Sequence, residues 1–115
     1  MISDKLKKRI LEFRKKRDWE KFHKPKDLAV SLILEASELL EHFQWKTDEE
    51  VAEMLKGDSL CGIEEEIADI AIYLTYLSHD LGIDLEKAMA DKLDKNRKKY
   101  PADKVRGSAK KYDKY

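Results

Sequence analysis

The sequence predicts an all-α protein, a bundle of four to five helices. Apolar residues recur at three- and four-residue spacing along most of the chain, which is typical of amphipathic helices rather than strands. The four glycines and two prolines fall between these stretches, so they predict helix ends. The length of 115 residues suits one domain, and 42% hydrophobic residues exclude a disordered chain. We therefore expect one domain over residues 1–101, followed by a basic tail over residues 102–115.

The first two helices are predicted from their apolar period and from Pro25. One helix is expected over residues 4–18, and a loop over residues 19–24 follows it. Pro25 suits the first turn of the next helix, where a backbone N–H has no helical partner. That helix is expected to run to Phe43 and, since most of its faces are apolar, to be central and largely buried.

The next two helices are bounded by residues that commonly cap or end a helix. Asp48 is expected to cap a short helix over residues 49–56, which Gly57 ends. Residues 62–81 are expected to form a long helix that stops at Gly82.

The last predicted helix begins after Asp84, which is a good N-cap residue. It is expected to end near Tyr100, because Pro101 cannot continue a helix. Residues 102–115 are predicted to form an extended or mobile tail.

Charge is segregated along a chain whose formal net charge is zero. Residues 5–26 carry 11 Lys/Arg against 3 Asp/Glu, and residues 92–115 carry 10 against 3. Residues 27–91 carry 3 Lys/Arg against 17 Asp/Glu. This distribution suggests an acidic middle that holds cations and basic arms that bind phosphates. Solvated helix faces with a basic tail would explain the same counts without any ligand.

Cys61 is the single cysteine, which excludes an intrachain disulfide and metal sites built on several thiolates. The sequence contains no recognisable signal peptide and no apolar run of membrane length. We therefore expect a cytoplasmic protein with no membrane partner.

Two predicted helices each carry a pair of acids, three residues apart, beside an apolar stripe. On a helical wheel, Glu35 falls inside the stripe of the second helix, and Glu38 falls on its flank. Glu66 and Asp69 flank the stripe of the long helix on the corresponding side. The two stripes consist of Leu28, Leu32, Leu39 and Phe43, and of Ile63, Ile67, Ile70, Leu74, Leu77 and Leu81. Spacing alone also allows Glu65 to pair with Asp69.

Four carboxylates that converge between two helices would repel one another and lose hydration. A cation is therefore expected to neutralise them. Hard oxygen ligands, without several cysteines or a paired histidine, suit Mg²⁺, with Mn²⁺ as a substitute.

Five segments resemble the MazG-like all-α nucleoside triphosphate pyrophosphohydrolases, and most of all their dCTP pyrophosphatase branch. They are residues 17–25 (RDWEKFHKP), 35–45 (EASELLEHFQW), 65–74 (EEIADIAIYL), 92–101 (KLDKNRKKYP) and 106–112 (RGSAKKY). The resemblance implies the all-α fold of that family and a homodimer or homotetramer formed through helix packing. It also implies Mg²⁺-dependent hydrolysis of a nucleoside triphosphate, dCTP or a related or modified pyrimidine nucleotide, to the monophosphate and pyrophosphate.

Carried over by position, the resemblance implies that the metal ligands are Glu35, Glu38, Glu66 and Asp69, which selects Glu66 over Glu65. Glu38 is expected to act as the general base, and Glu35 is the second catalytic candidate. Substrate-binding positions are implied at Trp19, Phe22, His23, Trp45 and Tyr73, and on the phosphate side at Lys92, Asn96 and Arg97. Departures from that branch at Ile10, Lys21, Lys24 and Lys99 leave the base preference open.

Three other interpretations compete with this one. A di-iron carboxylate bundle would need an E-x-x-H motif on paired helices, and neither acidic helix has one. A non-enzymatic nucleic-acid-binding module would use the basic arms, but the acidic middle and the lack of a recognisable binding motif argue against it. A plain helical interaction protein would leave the acids beside the core stripes unexplained.

Overall fold

The computed structural model of this chain describes residues 2–108, so residues 109–115 of the predicted tail lie outside the described residues. Every regular element within that part is a helix, which confirms the predicted all-α class. The chain divides into two compact units, residues 2–82 and a second unit that begins at Ile83. No helix within residues 2–108 is both long and apolar enough to cross a membrane.

The unit of residues 2–82 contains four α-helices and one 3₁₀ turn. Their bounds are Asp4–Lys16 (α1), Glu20–Phe22 (the 3₁₀ turn), Pro25–Glu41 (α2), Asp48–Met54 (α3) and Ser59–Asp80 (α4). Ser3 caps α1, because its hydroxyl accepts a hydrogen bond from the N–H of Leu6 at 3.1 Å. Pro25 occupies the first turn of α2, as predicted.

The predicted ends of the first two helices are too late. α1 ends at Lys16 rather than at Asp18, because Asp18 has a left-handed backbone with φ of 53°, which a right-handed helix cannot include. α2 ends at Glu41 rather than at Phe43, whose N–H bonds the carbonyl three residues before it, in a tighter turn. The apolar spacing continues to Phe43 beyond the end of α2, so it does not mark that end.

The predicted starts of α3 and α4 are also displaced. Thr47, rather than Asp48, caps α3, because its hydroxyl and its backbone N–H form reciprocal hydrogen bonds with Glu50. α4 begins at Ser59 rather than at Gly62, which lies inside the first turn of the helix.

The second unit follows Gly82. This glycine has a φ of 68°, a left-handed backbone that prevents α4 from continuing, as predicted. The second unit contains α5, Leu85–Lys99, and Asp84 caps this helix by accepting the N–H of Lys87 at 3.1 Å. A short helix, Ala102–Val105 (α6), follows where the sequence predicted an extended or mobile tail. Pro101 stops α5 but suits the start of a new turn, which explains the difference.

The most extensive helix contact in the unit of residues 2–82 joins α2 and α4. The prediction that α2 is largely buried is wrong for a single chain. Four of its apolar side chains are 46–68% exposed, namely Val30, Ile33, Leu34 and Leu40. Ile67 and Leu81, which belong to the predicted stripe of α4, are 53% and 51% exposed. A helical period identifies an apolar face, but it does not tell whether the same chain covers that face.

Candidate active site

Three carboxylates converge where α2 packs against α4, and we call them the acid cluster: Glu35, Glu38 and Glu66. Glu35 and Glu38 lie one turn apart on α2, whereas Glu66 lies on α4. One oxygen atom from each side chain lies within 4.8 Å of the other two, close enough for one cation to contact all three. Glu35 and Glu66 are half-buried, and Glu38 is exposed.

Asp69, the fourth predicted ligand, is not part of that 4.8 Å group. It lies on α4 one turn beyond Glu66 and is exposed. Its negative charge acts on both Glu35 and Glu66, so it belongs to the same electrostatic environment. Asp69 also lines a neighbouring cavity, which places it between the acid cluster and that cavity.

The acid cluster is electrostatically unfavourable in the absence of a cation. The pKa of Glu35 is raised from 4.5 to about 7, first by burial and then by a hydrogen bond with Glu38 and the nearby negative charges. Burial also raises the pKa of Glu66, with further contributions from Glu38 and Asp69. Near neutral pH the cluster therefore retains protons that a cation would displace.

Two oxygen atoms of the acid cluster lack a partner within residues 2–108. Oε2 of Glu35 and Oε2 of Glu66 are buried and accept no hydrogen bond. A buried carboxylate oxygen without a donor is destabilising, and a divalent cation would supply the missing partner. A set of carboxylate oxygens, with neither a thiolate nor a paired imidazole, suits Mg²⁺ and Mn²⁺.

His42 lies against the acid cluster just after α2. Its Nε2 atom is 4.0 Å from Oε1 of Glu66. Its ring also packs over Gly62, where a Cβ would lie only 3.0 Å from Cε1 of His42. Gly62 therefore permits the close approach of this ring to α4. In the sequence, His42 is visible only as a residue four positions after Glu38, which does not reveal the contact with Glu66.

A cavity of about 360 Å³, which we call the aromatic cavity, adjoins Asp69. Its volume lies in the range of small-ligand pockets. Its walls come from α1, α4 and the segment that follows α1, through Leu6, Arg9, Ile10, Phe13, Trp19, His23, Asp69, Ile72, Tyr73 and Tyr76. Three of the predicted substrate-binding residues, Trp19, His23 and Tyr73, meet in this cavity.

His23, Tyr73 and Tyr76 form an aromatic group in the cavity, with ring centroids 5.4 to 6.2 Å apart. Burial lowers the pKa of His23, and the positive charge of Arg14 lowers it further, so the imidazole is neutral at neutral pH. Its Nδ1 atom is buried without a hydrogen-bond partner in the described part of the chain. A neutral imidazole can donate from one nitrogen and accept at the other, which suits the polar edge of a base.

An ion pair that the sequence did not identify supports the wall of the aromatic cavity. Arg14, which is 4% exposed, donates two hydrogen bonds of 2.8 Å to the carboxylate of Asp80. These bonds hold the pKa of Asp80 below its usual range. The guanidinium also lies 4.6 Å from the ring centroid of Tyr76. Because 66 residues separate Arg14 from Asp80, no local spacing links them in the sequence.

Two predicted substrate-binding residues, Phe22 and Trp45, do not line the aromatic cavity. Phe22 is 63% exposed, and Trp45 is 92% exposed. Trp45 also has φ of 66°, a left-handed backbone that is rare for a bulky residue and is found most often at functional sites. This arrangement leaves the indole ring of Trp45 in solvent.

The three residues predicted for the phosphate side lie on α5, in the second unit. Lys92 and Arg97 are exposed, and Asn96 is half-buried. Lys92 and Asn96 share one face of α5 because they are four residues apart. Their role in binding phosphate stays a prediction.

Comparison with known proteins gives consistent matches in sequence. The sequence profile described as the MazG-like family matches residues 30–114. The protein named dCTP pyrophosphatase 1 in Bos taurus is 44% identical over 102 residues, or 88% of this chain, and its Homo sapiens counterpart is 42% identical over the same length. These matches cover 60% of each relative, so this chain spans about three fifths of the length of those proteins.

A solved structure is similar to this chain in both fold and sequence. It is the crystal structure of a pyrophosphatase from Archaeoglobus fulgidus, with a TM-score of 0.80 and 43% sequence identity. The match covers 85% of this chain and 91% of that one. The helical fold of the described residues is therefore one that a pyrophosphatase also adopts.

Proposed function

Because this chain belongs to the MazG-like family, we propose that it is a Mg²⁺-dependent nucleoside triphosphate pyrophosphohydrolase. It would cleave dCTP, or a related or modified pyrimidine nucleotide, to the monophosphate and pyrophosphate. Its similarity to dCTP pyrophosphatase 1 and to a solved pyrophosphatase supports this proposal. In the cytoplasm, which is the location predicted from the sequence, such a reaction would remove unwanted nucleotides from the pool.

The observation that carries the proposal is the acid cluster with its unpartnered oxygens, together with Asp69, which acts on the cluster electrostatically and lines the aromatic cavity. Glu35, Glu38, Glu66 and Asp69 would hold the cation through their carboxylate oxygens. A bound Mg²⁺ supplies charge neutralisation for the phosphates and activation of water. The protein contributes the arrangement of acids on two packed helices, so Glu35, Glu38 and Glu66 are close together before the cation binds.

Glu38 is our candidate for the general base. It lies one turn from Glu35 and is the exposed member of the acid cluster, so a proton that it accepts can pass to solvent. Glu35 is half-buried, and the pKa of about 7 means that it holds its proton until a cation displaces it. We therefore assign Glu35 first to the metal, and only second to proton transfer.

The aromatic cavity would bind the base. Trp19 and Tyr73 offer ring faces on which a base can stack, and stacking contributes about 1–3 kcal/mol per base. His23 adds an imidazole that can donate to or accept from the edge of the base. Asp69 lines this cavity and also acts electrostatically on the acid cluster, so the base and the phosphates would bind next to each other. Lys92, Asn96 and Arg97 would bind the leaving pyrophosphate.

We propose further that the chain functions as a homodimer or a homotetramer. The exposed apolar side chains of α2 and α4 support this, since a second copy would cover them. Trp45 supports it as well, because an exposed indole on a strained backbone suits a residue that completes the site of a neighbouring copy. Sedimentation equilibrium should give the mass of two or four chains, and a single-chain mass at assay concentrations would contradict the proposal.

The activity is tested by incubating the purified protein with each common (d)NTP and Mg²⁺, and by measuring pyrophosphate. We expect the highest yield of pyrophosphate and monophosphate with dCTP, and no product in the presence of a chelator. Glu38→Gln and Asp69→Asn should abolish the release of pyrophosphate.

Glu41→Gln is the matched control, since it makes the same charge change on α2 outside the acid cluster. It should retain the activity. Release of orthophosphate in place of pyrophosphate, or no product with any nucleotide, would contradict the proposed function.

A further inference from the structure

His42 lies at one end of the acid cluster, and none of the roles assigned above uses it. It caps the C-terminal end of α2 with a right-handed backbone, so its side chain continues the face that carries Glu35 and Glu38. On α4, Gly62 and Glu66 lie one turn apart, and the imidazole contacts both of them. The ring therefore occupies the end of the α2–α4 interface, directly after the acids.

The position of the imidazole depends on the glycine below it. A Cβ at Gly62 would lie 3.0 Å from Cε1 and 3.7 Å from Nε2 of His42. Carbon atoms in van der Waals contact are about 3.5 Å apart or more, so a larger residue than glycine would push the ring away. The N–H of His42 also bonds the carbonyl of Leu39 at 3.2 Å, which fixes the backbone. The ring is thus held against α4 and is not free in solvent.

The two carboxylate oxygens of Glu66 have different surroundings. Oε1 lies 4.0 Å from Nε2 of His42, in a contact where the side chains are only 30% (His42) and 21% (Glu66) exposed. Oε2 is buried and has no hydrogen-bond partner within residues 2–108. A separation of 4.0 Å is too long for a hydrogen bond, but a small rotation of the carboxylate closes it. One oxygen therefore faces a possible donor, and the other is left for a cation.

We propose that His42 is a positioning residue of the cation site: it donates from Nε2 to Oε1 of Glu66 when a divalent cation binds. This inference rests on the cation site of the proposed function, and it adds a residue that contacts a metal ligand instead of the metal. Carboxylates that bind metals are commonly fixed in this way by a hydrogen bond from a neighbouring side chain. An imidazole can donate from Nε2 whether or not Nδ1 also carries a proton, so the role does not depend on the charge of His42.

A donor at this place matters because Glu66 stands among other acids. Its carboxylate would otherwise keep several orientations, and it would lose that freedom when the cation binds. A hydrogen bond to Oε1 removes part of this cost in advance. His42 is not itself in the group of side chains whose ligand atoms lie within 4.8 Å of one another. Its effect is therefore expected to pass through Glu66.

The test uses three variants of the full chain and two controls. His42→Leu removes the donor, His42→Gln keeps an amide donor, and Gly62→Ala displaces the ring. Gly57→Ala is the matched glycine control, because a Cβ there would have no neighbour closer than 3.8 Å. His79→Leu is the histidine control, since this exposed residue lies in the last turn of α4. For each protein we measure the Kd of Mn²⁺ and of Mg²⁺ by calorimetry without nucleotide, and pyrophosphate release from dCTP over a range of Mg²⁺ concentrations.

We expect His42→Leu to raise the Kd of both cations about tenfold or more. His42→Gln should raise it less. Gly62→Ala should also raise it, although alanine favours the helix, and it should have no further effect when combined with His42→Leu. Pyrophosphate release in His42→Leu should recover at saturating Mg²⁺, because His42 acts on the affinity for the cation. Both controls should keep the Kd of the unmodified chain.

An unchanged Kd in His42→Leu overturns the inference, as does a loss of pyrophosphate release that saturating Mg²⁺ does not restore. A much larger loss of affinity for Mn²⁺ than for Mg²⁺ overturns it as well, because it would identify Nε2 as a direct metal ligand. If thermal melting shows that His42→Leu does not fold, an unchanged Kd in Gly62→Ala overturns the inference.

The same measurements separate this inference from the proposed function. If no nucleotide releases pyrophosphate but His42→Leu weakens cation binding as expected, the proposed reaction fails and the positioning role stands. If pyrophosphate is released normally and the Kd does not change, the positioning role alone fails. If the unmodified chain binds neither cation, the cation site and the role of His42 fail together.

Discussion

The acid cluster and the aromatic cavity both include residues of α4, but they differ in whether their charged groups are neutralised within the chain. In the acid cluster, the negative charges of other carboxylates act on Glu35 and Glu66, and each of these two keeps a buried oxygen without a partner. In the wall of the aromatic cavity, Arg14 is paired with Asp80 inside the same chain. The first region requires a positive charge from outside, whereas the second is already neutralised.

This difference indicates which region gains more stability when its ligand binds. A cation lowers the free energy of the acid cluster because it removes repulsion and displaces bound protons. The aromatic cavity holds its shape through contacts within the chain, so a base binds to a preformed surface. The cation site is therefore unstable when it is empty, whereas the neighbouring base site already has its shape before the base binds.

The largest effect that would test this comparison comes from Glu66→Gln. Pyrophosphate release should fall about a hundredfold or more, because a metal supplies several kcal/mol of charge stabilisation to the reaction. The metal-free protein should nevertheless melt at a higher temperature, since one of the repelling charges is gone. Activity assays and thermal melting with and without Mg²⁺ measure both. Glu64→Gln, the same change on another face of α4, should alter neither; a lower metal-free Tm in Glu66→Gln would contradict the comparison.

A smaller effect is expected from Asp80→Asn, which breaks the ion pair of the cavity wall. Removal of one partner leaves Arg14 nearly buried and unpaired, and the loss should be about 1–3 kcal/mol after allowing for the partial exposure of Asp80. Urea denaturation measures it. Asp91→Asn breaks an exposed pair with Lys87, so it should cost less than about 1 kcal/mol. Equal losses in the two variants would show that the cavity wall does not depend on its internal pair.

The smallest expected effect is a dependence of stability on pH that Mg²⁺ reverses. The pKa of Glu35 is about 7 in the folded chain and 4.5 ordinarily, so the folded state binds more protons between these values. Stability of the metal-free protein should therefore decrease as pH rises from about 4.5 to 7. Melting curves should show a decrease of a few degrees, and Glu35→Gln should flatten it. Mg²⁺ should raise the Tm more at pH 8 than at pH 5.5, and a uniform gain across this range would contradict the expectation.

Local features of the fold were predictable because they depend on residues within about one turn of each other. Pro25 at the start of α2, Asp84 as the cap of α5 and Gly82 after α4 all have local physical causes. The errors are local as well: the left-handed Asp18 ends α1 early, and Thr47 with Glu50 displaces Asp48 as the cap of α3. Apolar spacing did not detect them, since it reports a face and not an end.

The sequence predicted the residues of the candidate site better than it predicted the contacts between them. By itself, the sequence determined that two helices each carry acids at three-residue spacing beside an apolar face, because the helical period fixes which side chains share a side. Only the tertiary structure decided that Glu35, Glu38 and Glu66 meet within 4.8 Å. It also decided that Arg14 reaches Asp80 and that the α2 face stays exposed. These outcomes depend on which faces of distant segments pack together, and no spacing within one helix contains that information.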